Sequence, residues 1–156
     1  MIMNRQHLDH IWQQGHLTEQ RRASRAFLRQ NQRLRDYLYL HHKVQKLHAS
    51  DLVSKNVALL STFTADQIVQ PLVVNSFTFG LKLEAYVSGF NQVEPEIRNP
   101  ESRLYQFSPD ATILLLRLED MLQHPDEADS FQALVDRIAE LVRTLSRRTQ
   151  APVLVN

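Results

Sequence analysis

The chain has 156 residues, a formal net charge of +1 and no cysteine. That length suits one domain burying roughly 70% of its unfolded surface without a covalent staple. The missing cysteines exclude a disulfide framework, a thiolate metal site and a cysteine nucleophile. The opening MIMNRQHLDHIWQQGH lacks the apolar core of a secretory signal, and no stretch approaches the roughly 18 apolar residues of a membrane span. The expectation is a cytoplasmic protein with no membrane partner.

From Asn4 to about Ala49 the residues read as helix. Leu8, Ile11 and Trp12 share one helical face. Thr18 is the expected N-cap of a second helix through Ala23, Ala26 and Phe27, running on beyond Leu34. Leu34, Tyr37, Leu38, His41 and Val44 continue an apolar stripe, with Arg33, Asp36, Lys43 and Lys46 opposite. Residues 1–50 are thus an N-terminal helical arm. Ten Lys/Arg against four Asp/Glu make residues 1–56 basic, and eight against thirteen make the remainder acidic. With no interleaved glycines or exposed aromatics in the basic part, nucleic acid is not expected as a partner.

After Asp51 the pattern changes to alternating strands and helices. Val57–Leu60 is a continuous apolar run, as expected for a strand buried on both faces of a parallel sheet. A helix is expected from about Ala65 to Phe77, in which Pro71 is tolerable only at a kink or in the first turn. Gly80 suits a helix C-cap. Leu81–Val87 and Ala111–Leu116 read as strands, with Gly89 allowing a tight loop between them. Asp129–Arg147 is an amphipathic helix with Phe131, Leu134, Val135, Ile138, Leu141, Val142 and Leu145 inward, and Pro152–Val155 is a fourth strand. The fold class is α/β: an open parallel sheet with flanking helices over residues 51–156, preceded by the helical arm. Because the chain stops one residue after an apolar strand, it is expected to be part of a longer polypeptide, truncated before the last strand and helix of this domain.

Ligands of open parallel sheets bind beyond the C-terminal strand ends. That rule selects Ser61, Thr62 and Thr64 after the first strand, Gly89, Asn91 and Gln92 after the second, and Asp120 after the third. Asn156 lies after the fourth. Each also has a structural reading. Thr64 is a helix N-cap, Ser61 and Thr62 are turn hydroxyls, Asn91 and Gln92 steady a long loop, and Asp120 caps the next turn. No catalytic residue is assigned. His7 and His10 are one turn apart but lack a third metal ligand, and His124 lies in a loop without an indicated base partner. With Gly15, Gly80 and Gly89 as its sole glycines, the chain holds no phosphate-binding glycine loop.

Four ordered blocks carry a family resemblance: Ser61–Thr64, Gly89–Gln92, Asn99–Tyr105 (NPESRLY) and Pro109–Asp120 (PDATILLLRLED). Together they resemble the N-terminal domain of FkbH-like proteins, subfamily IIIC of the HAD superfamily. The resemblance implies an SGNH-hydrolase-like, three-layer domain related to the flavodoxin-like sandwich. Gly89 then stands for the oxyanion glycine, the serine position falls near Phe63, the oxyanion asparagine near Glu119, and the Asp–His pair beyond Asn156. Without nucleophile, amide or base, such a site has lost the main sources of its rate. The resemblance further implies a separate HAD domain, outside this chain, that uses magnesium and loads a dephosphorylated glyceryl unit onto an acyl carrier protein as a polyketide extender unit. For this chain it implies no cofactor, and a non-catalytic module whose partner is an acyl carrier protein or a C-terminal HAD domain. The alternative is a degenerate or variant SGNH-type acyl-ester hydrolase.

Overall fold

The computed structural model describes residues 3–47, 51–121 and 128–156. The order is α1 (Arg5–Gln14), α2 (Leu17–Leu28), α3 (Leu34–Gln45), β1 (Val53–Ser61), α4 (Asp66–Thr78), β2 (Leu81–Val87), α5 (Val93–Arg98), α6 (Arg103–Phe107), β3 (Ala111–Leu115), α7 (Leu118–Met121), α8 (Ala128–Arg148) and β4 (Val153–Val155). The strands form one parallel sheet in the order β2-β1-β3-β4. The α/β class with an N-terminal helical segment therefore stands. No described helix is long and apolar enough to cross a membrane. By contacts the chain divides into two compact units: Met1–Lys55 with Gln67–Glu84, and Asn56–Asp66 with Ala85–Asn156.

In the first unit the helices bury Leu8, Ala23, Phe27, Leu28, Leu40 and Val74 together. The α1–α2 corner is tied by buried polar groups. Gln20 Nε2 donates to the carbonyls of Trp12 and Gly15 at 3.1 and 3.2 Å, satisfying the end of α1, and Trp12 Nε1 donates to Ser24 Oγ. The N-cap of α2 is His16, whose N–H is accepted by Glu19. Thr18 lies inside the helix, so the expected cap is displaced by two residues. The expected run beyond Leu34 is also broken. α2 ends at Leu28 and α3 starts afresh at Leu34, leaving Leu34 and Leu38 exposed. Asp36, read as outward, is buried and paired with Arg5 at 2.8 Å. Asp9 is held below the usual carboxylate range by its bonds from Lys43 and the Tyr39 hydroxyl, which burial in turn keeps protonated. Pro71 falls in the second turn of α4, and the helix runs through it to Thr78.

The C-terminal end of α4 is capped by α2. Arg21 Nε donates to the Phe77 carbonyl at 3.2 Å and Arg25 Nη2 to that of Thr78 at 2.8 Å, two of the carbonyls a helix end leaves open. Gly80 then reverses the chain with φ +92°, and a Cβ there would lie 2.7 Å from Arg21 Nη2.

In the second unit, Ala58, Leu60, Leu104, Leu114, Leu141 and Leu145 lie within one buried cluster. Each such leucine contributes about 1.5–3 kcal/mol through removal from water. α8 buries Leu134, Leu141 and Leu145, but Phe131 and Val135, expected inward, are 57% and 42% exposed. Between β2 and β3, where the sequence suggests a long loop around Asn91 and Gln92, lie two short helices, α5 and α6. The NPESRLY block joins them. Asn99 Oδ1 accepts the Glu101 N–H, Ser102 Oγ donates to the Glu96 carbonyl, Leu104 is buried, and Tyr105 donates to the Ile97 carbonyl. Asp110, in the Pro-Asp block, accepts the Asn56 N–H and fastens the start of β1 to that of β3.

Gly80→Ala is expected to destabilise the protein by about 1–2 kcal/mol, because the left-handed φ is strained for any residue with a Cβ. Gly80→Asn is expected to cost less, since asparagine tolerates this region best among the others. Urea unfolding of the two variants measures the difference.

Candidate functional site

The pairing of β1 with β3, Val57↔Ala111 through Ser61↔Leu115, brings the ends of both strands to one rim. Past those ends the Thr62 N–H donates to the Leu115 carbonyl, and Thr62 Oγ1 accepts the Arg117 N–H at 2.9 Å. Beside them lies a cleft of about 470 Å³. Thr62, Asn91 and Asp120 line it together with Glu94, Arg98 and Arg137. Three residues expected at the rim are therefore brought together, and three charged residues join them that the strand-end rule did not select.

The remaining candidates sit elsewhere. Ser61 is buried, and its Oγ accepts the Phe63 N–H at 3.1 Å, the turn role. Its own N–H donates to Ser88 Oγ. Thr64 is exposed two residues before α4, so the N-cap position falls on Ala65. Gly89 and Gln92 are exposed and outside the cleft. The left-handed residue of their turn is Asn91, at φ 54°, and not Gly89. Asn156 turns its side chain to the end of β3, where Oδ1 accepts the Leu116 N–H at 2.7 Å. His124 lies outside the described residues.

The charged residues of the cleft are paired, with one another or with neighbours just outside it. Glu94 pairs with Arg137 and, at 3.4 Å, with Arg98; Arg98 pairs also with Glu140 at 3.2 Å. These contacts bind α5 to α8 across the cleft wall. Asp120 pairs with Arg117 at 2.8 Å, one turn away in the chain. Both Arg98 and Arg117 are held firmly protonated, by the carboxylates of Glu140 and Asp120 respectively. Beneath the cleft wall, Arg148 Nη1 donates to the Ile97 and Arg98 carbonyls at the end of α5. Tyr86 donates to Glu96 at 2.7 Å, and burial with that carboxylate raises the phenol well above its ordinary range. Among the described residues, no cluster of three or more His, Cys, Asp or Glu is placed to hold a metal, and the second unit has no histidine among them.

Glu94 was the least legible of these residues. Its spacing to Arg98 fits a helical pair, but nothing in the sequence joins it to Arg137. Glu94→Gln is expected to lower stability by about 1–2 kcal/mol, the small value reflecting half-exposed guanidinium partners. Gln132→Ala, on the exposed side of α8, is expected to cost less than about 0.5 kcal/mol. Comparing the urea midpoints of both variants with the parent chain checks this.

No family model matches the chain, and no curated protein matches it. Among solved structures it is similar to the N-terminal part of the protein BF1531 from Bacteroides fragilis, a crystal structure containing a phosphatase domain complexed with Mg. The identity is 25% and the TM-score 0.66, over 76% of this chain and 32% of that one. The chain thus spans about a third of the structure it matches.

Proposed function

We propose that this chain is the N-terminal module of an FkbH-like protein, non-catalytic in itself, that positions an acyl carrier protein or a HAD phosphatase domain for glyceryl transfer in polyketide extender-unit biosynthesis. The observation that carries the reading is the self-pairing of the strand-end cleft. Its carboxylates are engaged by arginines and the Thr62 oxygen by a backbone N–H, so its polar groups hold the wall in shape. The likeness to the N-terminal part of a protein with a magnesium-bound phosphatase domain supports the same reading. In it, magnesium belongs to the HAD domain and this chain contributes binding surface.

Calorimetric titration at low ionic strength tests it, with an acyl carrier protein in one experiment and a HAD phosphatase domain in another. At least one partner is expected to bind with a dissociation constant on the order of micromolar, typical of transient contacts. Absence of heat with both would overturn the proposal. So would hydrolysis of p-nitrophenyl acyl esters by the parent chain that is abolished in Thr62→Val, because it would make the cleft a working esterase.

A further inference from the structure

The first unit carries a groove of about 450 Å³ at the C-terminal ends of α2 and α4. Leu28, Tyr37 and Phe79, the last 69% exposed, give it its apolar surface, and Gln32, Asn75 and Thr78 line the rest. Arg25 and Arg29 stand along it. Arg25 is fixed, its guanidinium 4.5 Å above the Phe79 ring while it donates to the Thr78 carbonyl. Arg29 is exposed, and no carboxylate among the described residues pairs with it.

Helix stability explains part of this charge. Arg25 and Arg29 lie at the C-terminal end of α2, where the helix dipole favours a cation. The same dipole argument fails for the next two arginines. Arg33 is the N-cap of α3 and Arg35 lies in its first turn, both exposed, and there the dipole disfavours a cation. The one first-turn acid, Asp36, is buried against Arg5 and leaves the surface positive. A short turn thus gathers arginines at local electrostatic cost, beside an apolar slot with an uncovered aromatic wall.

We propose that this groove is the docking surface for an acidic amphipathic helix of a partner protein. An apolar side chain enters between Leu28, Tyr37 and Phe79 while flanking carboxylates meet Arg29 and Arg25. The inference rests on the docking reading above and deepens it by naming the surface and the chemistry of the partner. Charge complementarity selects an acidic occupant, and the apolar slot selects a helix face with spaced anchors over an extended polyanion. One face of the Phe79 ring is already covered by Arg25, which disfavours base stacking on both sides as single-stranded nucleic acid would use it.

The test titrates two probes into the full chain: a synthetic helical peptide with leucines at i, i+3, i+4 and i+7 flanked by glutamates, and an acyl carrier protein. Phe79→Ser and Arg29→Glu are each expected to weaken the peptide by about tenfold or more. Arg29→Lys is expected to retain most of the affinity, and Arg147→Glu, the same charge change on α8, all of it. Circular dichroism confirms folding, which both exposed positions permit. Salt of about 0.5 M is expected to weaken the parent chain's binding. No peptide binding, or binding indifferent to Phe79 and Arg29, overturns the groove whatever the carrier protein does. Peptide binding without carrier binding leaves the groove standing and counts against the carrier protein alone. A dimer dispersed by Phe79→Ser, or an oligothymidine bound more tightly than the peptide, also overturns the proposal, since the groove then serves a second copy or nucleic acid.

Discussion

The parallel pairing of β1 with β3 is the constraint on which the geometry of the second unit depends. Five residue pairs in register set where both strands stop, and the next two hydrogen bonds, Thr62 to Leu115 and Arg117 to Thr62, result from that stop. A slip of one residue would turn Ala58 and Leu60 out of their cluster and Leu59 into it. The rim would lose its hydroxyl contact in the same step. Asp110 guards the register from the other end by accepting the Asn56 N–H. Packing and the Asp110 contact thus agree on one register, and that register positions the cleft.

The other polar groups act locally. Within the family-like blocks, the residues with side-chain hydrogen bonds use them mainly on the backbone: Asn99, Ser102 and Tyr105 close the turn between α5 and α6, and Asp110 closes the strand start. A motif read by type alone suggests chemistry in every Ser, Asn, Tyr and Asp. Here the geometry assigns these four to the hydrogen bonds that every buried or turning backbone segment requires.

Much of the fold was legible from period and punctuation. The bounds of β2 fall where the alternation of Leu81–Val87 places them, and α8 differs from its expected range by one residue at each end. β1 begins four residues earlier than its apolar run, because Val53–Asn56 is only partly buried and carries polar residues. The short helices α5, α6 and α7 have too few turns to show a period, and Pro95 argues locally against the first of them. Phe131 and Val135 fit the stripe of α8 yet stay in solvent, since periodicity gives a face but not how far packing extends along it. At the rim, strand order and the C-terminal-end rule suffice to find Thr62, Asn91 and Asp120. Arg137 is out of reach of such rules, because its contact with Glu94 joins helices far apart in sequence.

In the cleft, the charged and hydroxyl groups are placed by what they hold together. A general base needs a carboxylate or imidazole with a free lone pair and a raised proton affinity. Here two guanidiniums hold Glu94 and one holds Asp120. The Thr62 oxygen accepts the Arg117 N–H, a contact that fixes where the hydroxyl sits at the strand ends. These contacts clamp α5 to α8 and β1 to β3, so the same groups that line the cleft also hold the elements around it. Along the lining the carboxylates of Glu94 and Asp120 balance the guanidiniums of Arg98 and Arg137, so the wall carries paired charge and no excess of either sign.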